Sequence, residues 1–267
     1  MPTTDQKIEK KILKAINKRF NNVTSSYQIY ANNPYVSEYV HRFRVDMRKM
    51  RALLNFIKPI LGEGVYDELN QQLRELGQRL SLIRDLDTLI EECTRIANEE
   101  PDWINNYAAV FRFLEKERLK LINKESTKKV YKEFNEVLKQ IQVVLDQLSF
   151  ELEAESLNDF VEKRYEHKTK KLSKDYKKLN NEDYEEIHEV RKQAKKVRYT
   201  SAGYKKILAN YNSKQTEKAA KKIQKELGKL TDSHVMIDLM NEYKEKTDSK
   251  KIKKSFQKLI DYQKNKL

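Results

Sequence analysis

The segment "YVHRFRVDMRKMR", Tyr39 to Arg51, places His41, Arg44, Arg48 and Arg51 at intervals of three, four and three residues. Those intervals belong to one face of an α-helix. With His41 at zero and about 100° per residue, Arg44, Arg48 and Arg51 lie at about 300°, 340° and 280°. Lys58 continues the line at about 260°, about 25 Å further along the axis. Phe43, Met47, Met50, Leu54 and Ile57 fill the arc from about 160° to 240°. The segment therefore predicts a helix with one buried side and a line of cations along its border.

The pattern occurs twice. "EIHEVRKQAKKVRY", Glu186 to Tyr199, carries His188, Arg191, Lys195 and Arg198, with Val190, Ala194, Val197 and Tyr204 as its apolar arc. Each cation stands 147 residues after its counterpart, and Lys49/Lys196 and Lys58/Lys205 keep the same offset. So do Arg74/Lys221, Leu80/Leu227, Asp85/Asp232 and Leu89/Met236. One offset held over a helix, a loop and the next helix indicates an internal duplication. The chain reads as two copies of one helical unit, 1–150 and 151–267.

Five Gly and four Pro in 267 residues leave little material for hairpins, and charged residues make up 36%. An all-α fold is expected. Apolar periodicity predicts helices at about 8–30, 35–61, 65 into the nineties (with a bend near Gly77–Ser81), 103–122 and 126–153. The second half adds 155–178, 184–209, 213–228, 231–245 and 249–265, with breaks at "ANNP", "GEG" and "NEEPDW". The formal charge is +14, divided as +4 over residues 1–150 and +10 over 151–267. Such an excess selects anionic partners: nucleic acid, an acidic membrane or a phosphorylated molecule. The single Cys93 excludes an intramolecular disulfide, and its acidic neighbours mark it as a packing residue. The polar amino terminus and the lack of a long apolar run lead us to expect a soluble, cytoplasmic protein.

Like charges three and four residues apart destabilise a helix by about 0.2–0.5 kcal/mol per pair. A merely solvated face would interleave Glu with Lys, as "FLEKERLKL" at 113–121 does. Neither basic arc contains a carboxylate from its own helix, since Glu38, Asp46, Glu185 and Glu189 project elsewhere. Arginine, favoured in the first stripe, suits bidentate contacts to oxyanions. Imidazole at the head of each stripe can donate to a phosphate oxygen, and affinity is expected to rise below about pH 6.5 as it protonates. His167 and His234 have no counterpart of their own type and receive no role. No His, Cys or carboxylate spacing fits a metal site, and neither metal nor cofactor is expected.

The doubled H-x-x-R-x-x-x-R/K-K-x-R helix resembles the CHAD domain, the conserved histidine α-helical domain. "LRELGQRLSLIRDLD" (Leu73–Asp87), "KKIQKELGKLTDSHV" (Lys221–Val235) and "VRYTSAGY" (Val197–Tyr204) match its following elements, so the resemblance covers nearly the whole chain. The second repeat departs from the pattern in being Lys-rich. The resemblance implies a single domain over 1–267. In it, two four-helix-bundle-like repeats are related by a pseudo-twofold axis around a basic central channel that binds inorganic polyphosphate without catalysis. Carried over by position, the phosphate contacts are His41, Arg44, Arg48, Lys49, Arg51, Arg74 and Arg84. From the second repeat come His188, Arg191, Lys195, Lys196, Arg198 and Lys221. Lys49 and Lys196, at about 80°, fit the stripe least well. Asp85 and Asp232 are expected to orient basic neighbours rather than meet phosphate. Some relatives carry a fused triphosphate-tunnel enzyme with an E-x-E-x-K signature; "ELEAE" at 151–155 has Glu155 where Lys is needed.

Two other functions compete. A single-stranded nucleic-acid binder would use the basic channel together with some of the 15 Tyr, although only Tyr199 and Tyr204 fall near the stripes. A polyphosphatase or phosphotransferase would need metal-binding carboxylates and a positioned nucleophile besides cations. "RDLD" at 84–87 pairs aspartates, but its repeat reads "TDSH". A soluble polyphosphate binder, associated with polyphosphate granules, is the expected function.

Overall fold

A computed structural model describes residues 3–102, 107–152, 156–180 and 182–265. The Glu155 of "ELEAE" and the first residues of the helix expected at 103–122 lie outside these. Ten α-helices and no strand occur among the described residues. They are α1 (Thr4–Asn32), α2 (Ser37–Ile57), α3 (Val65–Arg79), α4 (Ser81–Glu99), α5 (Tyr107–Glu125), α6 (Lys128–Asp146), α7 (Leu157–Lys178), α8 (Tyr184–Gly203), α9 (Ser213–Glu245) and α10 (Lys250–Lys264).

Local chemistry sets their ends. Thr3 and Gln6 form a capping box on α1. Thr127, Ser156, Asp183 and Ser249 each accept a backbone N–H from the first turn of α6, α7, α8 and α10. After Ile57, α2 tightens into a 3₁₀ turn over Lys58–Ile60, which contains Pro59. Gly64 then takes φ +77° to open α3, a left-handed conformation that favours glycine.

Four expected boundaries change, one being the helix expected at 184–209, which stops at Gly203. The helix expected to run from Val65 into the nineties is two, with a break at Leu80 (φ −96°, ψ 11°). The two helices expected at 213–228 and 231–245 are one, α9. Gly228 stays helical, and Thr231 Oγ1 bonds back to the Leu227 and Gly228 carbonyls. The helix expected to reach 153 stops at Asp146.

Apolar side chains of α1, α2, α3, α6 and α7 share the largest core, with Tyr27, Phe43 and Phe134 in mutual ring contact at its centre. A second core joins α4, α5, α9 and α10 and encloses Cys93, whose thiol burial pushes up to about 12. A buried Arg118–Asp87 pair at 2.5 Å ties α5 to α4, while Arg118 also donates to the Tyr35 carbonyl ahead of α2. No helix among the described residues is long and apolar enough to cross a membrane.

The two helices that carry the basic stripes, α2 and α8, pack directly on each other. Gly203 lies against Leu53 so closely that an added Cβ would sit 2.6 Å from Leu53 Cδ1. The next residue, Tyr204, is fully buried and donates its hydroxyl to the Leu53 carbonyl at 3.1 Å. Gly203→Ala tests this contact through its sign. Helix propensity alone would stabilise the variant by about 1 kcal/mol. Overpacking against buried Leu53 instead predicts a loss of about 1–3 kcal/mol in urea denaturation.

Candidate anion-binding site on helices α2 and α8

The stripe on α2 lies between the α2 core face and the helices α3 and α4. Arg44 is held inward: its Nη1 donates to the Gly77 carbonyl at 2.5 Å, in the last turns of α3, which the break at Leu80 ends. A cation there complements the carbonyl end of that helix. Burial, then the charge of Arg48, lowers the Arg44 pKa to about 10, and its Nε is buried without a partner. Arg51 donates through Nε to Asn70 at 2.9 Å, and burial lowers its pKa, with Arg74 and Arg48 adding to the effect. Arg48 and Arg74 are exposed and have no ion pair among the described residues. Arg44, Arg48, Arg51 and Arg74 together line a cavity of about 140 Å³ between α2 and α3, with Met47, Leu73, Gly77 and Gln78.

The stripe on α8 is built differently. Arg191 reaches α9, donating to the Thr231 hydroxyl and pairing with Asp232 at 2.8 Å. Gly228 makes room for it, since a Cβ there would stand 3.3 Å from Arg191 Nη2. Arg198 donates to Gln224 at 2.9 Å and covers the Tyr199 ring. Lys195 is half-buried. Burial, then the charges of Arg191 and Arg48, lowers its pKa to about 8 against the opposing pull of Asp232. Because Arg48 belongs to α2, the charge of one stripe is felt by the other at Lys195, 147 residues after Arg48 in sequence. Lys221 is exposed on the first half of α9.

His41 is half-buried, and burial together with Arg84 pushes its pKa below the ordinary histidine range. Its protonation therefore needs a lower pH than the sequence alone suggests. His188 is half-buried beside the Tyr184 ring, which also meets His234 edge-on at 5.0 Å. Sequence spacing gave His234 no part, and the same aromatic ring brings it near His188.

The sequence expected no carboxylate of α2 or α8 inside the basic arcs and Asp85 and Asp232 beside basic neighbours, and the fold brings carboxylates to the basic residues from other helices. Arg84 forms a two-pronged pair with Glu91 at 2.9 and 3.2 Å. Asp232 pairs with Arg191, which fits the orienting role expected of it. Asp85 forms no ion pair among the described residues; burial raises its pKa against the pull of Arg44, Arg48 and Arg84. Lys49 is turned from the stripe and pairs at 3.3 Å with Asp46, which Arg19 also holds. Lys196 likewise faces α7, where it acts on Lys168. The arginine and lysine of that α7 cluster, Arg164 and Lys168, were missed by sequence reasoning. Arg164 donates to the Phe56 and Asn55 carbonyls at 2.5 and 3.0 Å, closing the end of α2. Burial takes the Lys168 pKa down to about 8. Their spacing beside Phe160 and Tyr165 on α7 was the available signal.

Comparison with known proteins bears on this arrangement. The CHAD domain family model matches residues 28–241. The crystal structure of the CHAD domain from the plant Ricinus communis superposes with a TM-score of 0.73 at 17% identity, covering 96% of this chain and 85% of that one. PptA from Streptomyces chartreusis gives a TM-score of 0.67 at 10% identity, covering 95% and 93%. A search of curated proteins finds no match. At such identities the structural likeness speaks for the fold, and the family model, matched over most of the chain from before α2 into the last turns of α9, shows that this protein belongs to the CHAD domain family.

Proposed function

We propose that this protein binds inorganic polyphosphate, without catalysing its breakdown, in a basic channel between two related helical halves, 1–150 and 151–267. The observation that carries the reading is the approach of Arg48 to Lys195, cations from separate helices: the charge of Arg48 helps lower the Lys195 pKa, and neither has an ion pair among the described residues. The helix bounds favour the two-halves reading: α2 opens at Ser37 and α8 at Tyr184, α3 at Val65 and α9 at Ser213. A flexible, unbranched polyanion needs a run of cations and no apparatus to read a base or sugar. Each charge-assisted contact in a shielded groove contributes about 1.5–3 kcal/mol, against at most about 1 kcal/mol on an open surface. In this reading His41, Arg44, Arg48, Arg51, Arg74, Arg84, His188, Arg191, Lys195, Arg198 and Lys221 face the ligand or hold those that do. Lys49 and Lys196 act on the far sides of their helices. A cytoplasmic site at polyphosphate granules belongs to the same reading.

A nucleic-acid binder would need exposed rings beside the cations. Tyr204 is buried, and Tyr199 carries Arg198 against its ring, so the two tyrosines nearest the stripe offer poor stacking platforms.

Two outcomes test the proposal. Arg48→Glu with Lys195→Glu should weaken long-chain polyphosphate by about a hundredfold or more, the equivalent of two such contacts, with helical circular dichroism unchanged. No phosphate should be released on incubation with magnesium. Full retention of affinity, or displacement of polyphosphate by single-stranded RNA at equal phosphate, sinks the reading.

The second outcome concerns protons. Free Lys195 titrates near pH 8, and a polyanion beside it favours the charged form, so binding raises its pKa. Complex formation at pH 8 should therefore take up about half a proton, read as a dependence of calorimetric enthalpy on buffer ionisation enthalpy. Affinity should rise as pH falls from 9 to 7. Lys195→Arg, permanently charged, should bind while losing most of that uptake; unchanged uptake would exclude Lys195 from the contact.

A further inference from the structure

A second basic cavity lies behind the α2–α8 pair. It has a volume of about 280 Å³ and sits between α1 and the end of α8. Lys11, Lys14 and Lys18 of α1 border it at intervals of three and four residues, joined by Arg19, Lys205 and Lys206. No Asp or Glu lines it, and its remaining lining is apolar or backbone: Ala15, Ala202, Gly203, Tyr204 and Ile207. The five lysines are exposed and have no ion pair among the described residues. Arg19 alone is paired, through Nη1 to Asp46 at 3.3 Å, and its Nε is buried without a partner.

Asp46 fixes the cavity's place relative to the stripe. It stands two residues from both Arg44 and Arg48, about 160° around α2 from each. The cations gathered with Arg19 therefore belong to the face of α2 opposite the polyphosphate stripe.

A purely structural role would have the lysines complement the carbonyl end of α8. The chain itself caps part of that end: the Tyr204 N–H bonds to the Thr200 carbonyl, and just beyond the helix the Leu208 N–H bonds to the Tyr204 carbonyl, both at 2.9 Å. Five exposed lysines around one small concavity exceed that need, and their mutual repulsion is relieved by an anion of several charges.

We propose that this cavity is a second anion site, taking a compact run of phosphoryl groups such as a short phosphate oligomer. The lining offers no carboxylate, amide or hydroxyl side chain free to read a sugar or base, and Tyr204 is too buried to stack. At about 280 Å³ the cavity has room for a short oligomer and not for the length of a long chain. The same chemistry could come from the free oligomer or from the end of a longer chain held on the opposite face.

The test uses the full-length protein and tripolyphosphate in calorimetry, in the Arg48→Glu/Lys195→Glu background. One tripolyphosphate should still bind that variant. Adding Lys14→Glu and Lys206→Glu, both exposed positions, should weaken it by up to about thirtyfold, the ceiling for two exposed ion contacts. Lys14→Gln with Lys206→Gln provides the milder form should the reversal perturb folding. Loss of tripolyphosphate binding in the first variant, or its survival in the second, overturns the proposal. In the wild-type background, Lys14→Glu/Lys206→Glu should leave long-chain affinity within about twofold if the free oligomer is the ligand, and lower it further if a chain end is. Failure of the wild type to bind long polyphosphate would remove the channel reading while leaving the tripolyphosphate result to stand on its own.

Discussion

Everything in the candidate site follows from the direct packing of α2 on α8. Gly203 against Leu53, locked by the Tyr204–Leu53 hydrogen bond, allows the two helices to approach at a place where any other residue would hold them apart. That approach brings Arg48 and Lys195 within electrostatic reach. Burying cations side by side is unfavourable, and the cost appears in their titration: Arg44 near 10, Lys195 near 8, and Arg51 and His41 pushed down. Hydrophobic packing elsewhere must hold the arrangement together. The ring cluster of Tyr27, Phe43 and Phe134 and the leucine-rich faces of α3 and α6 supply it.

The two stripes solve one problem by different means. On the α2 side the break at Leu80 ends α3, and Arg44 is anchored on the Gly77 carbonyl. On the α8 side α9 runs unbroken, and Arg191 finds a hydroxyl and a carboxylate instead. An arginine anchored on a neutral carbonyl, with Asp85 near but not ion-paired to it, keeps more of its charge free than one paired with Asp232. Fixed charge therefore concentrates on α2, while α8 contributes Lys195, whose charge depends on pH. In the proposed complex the first side would supply affinity at every pH, and the second would make affinity respond to proton concentration.

The fold was largely legible because its strongest signals are local. The 3.6-residue period of Phe43, Met47, Met50, Leu54 and Ile57 marks α2, and the constant offset to His188 and Arg191 finds α8. What stayed hidden is what depends on distant chain. Leu80 and Leu227 occupy matched positions, yet one sits at a helix break and the other in a helix interior. Glu91, Asp46 and Asp232 reach the basic residues through folding and through neighbours one helical turn away, so a wheel drawn for one stripe could not count them all. Lys49 was a nearer miss: three residues from Asp46, it had a partner on its own helix and an angle already off the stripe.

Asp46 also explains why one helix can serve two basic regions without collapse. With Arg19 and Lys49 around it, this carboxylate is 5% exposed and bonded on two sides. It places negative charge between the lysines behind α2 and the arginines in front. At an effective dielectric of about 20, a unit charge about 8 Å away still contributes about 2 kcal/mol, so an intervening carboxylate matters to both groups. Replacing it with a neutral residue would leave cations facing one another through the helix, where apolar packing offers no compensation. The charge on α2 is thus layered, cation on either side of a buried anion, and this layering allows a strongly basic helix to sit at the centre of the fold.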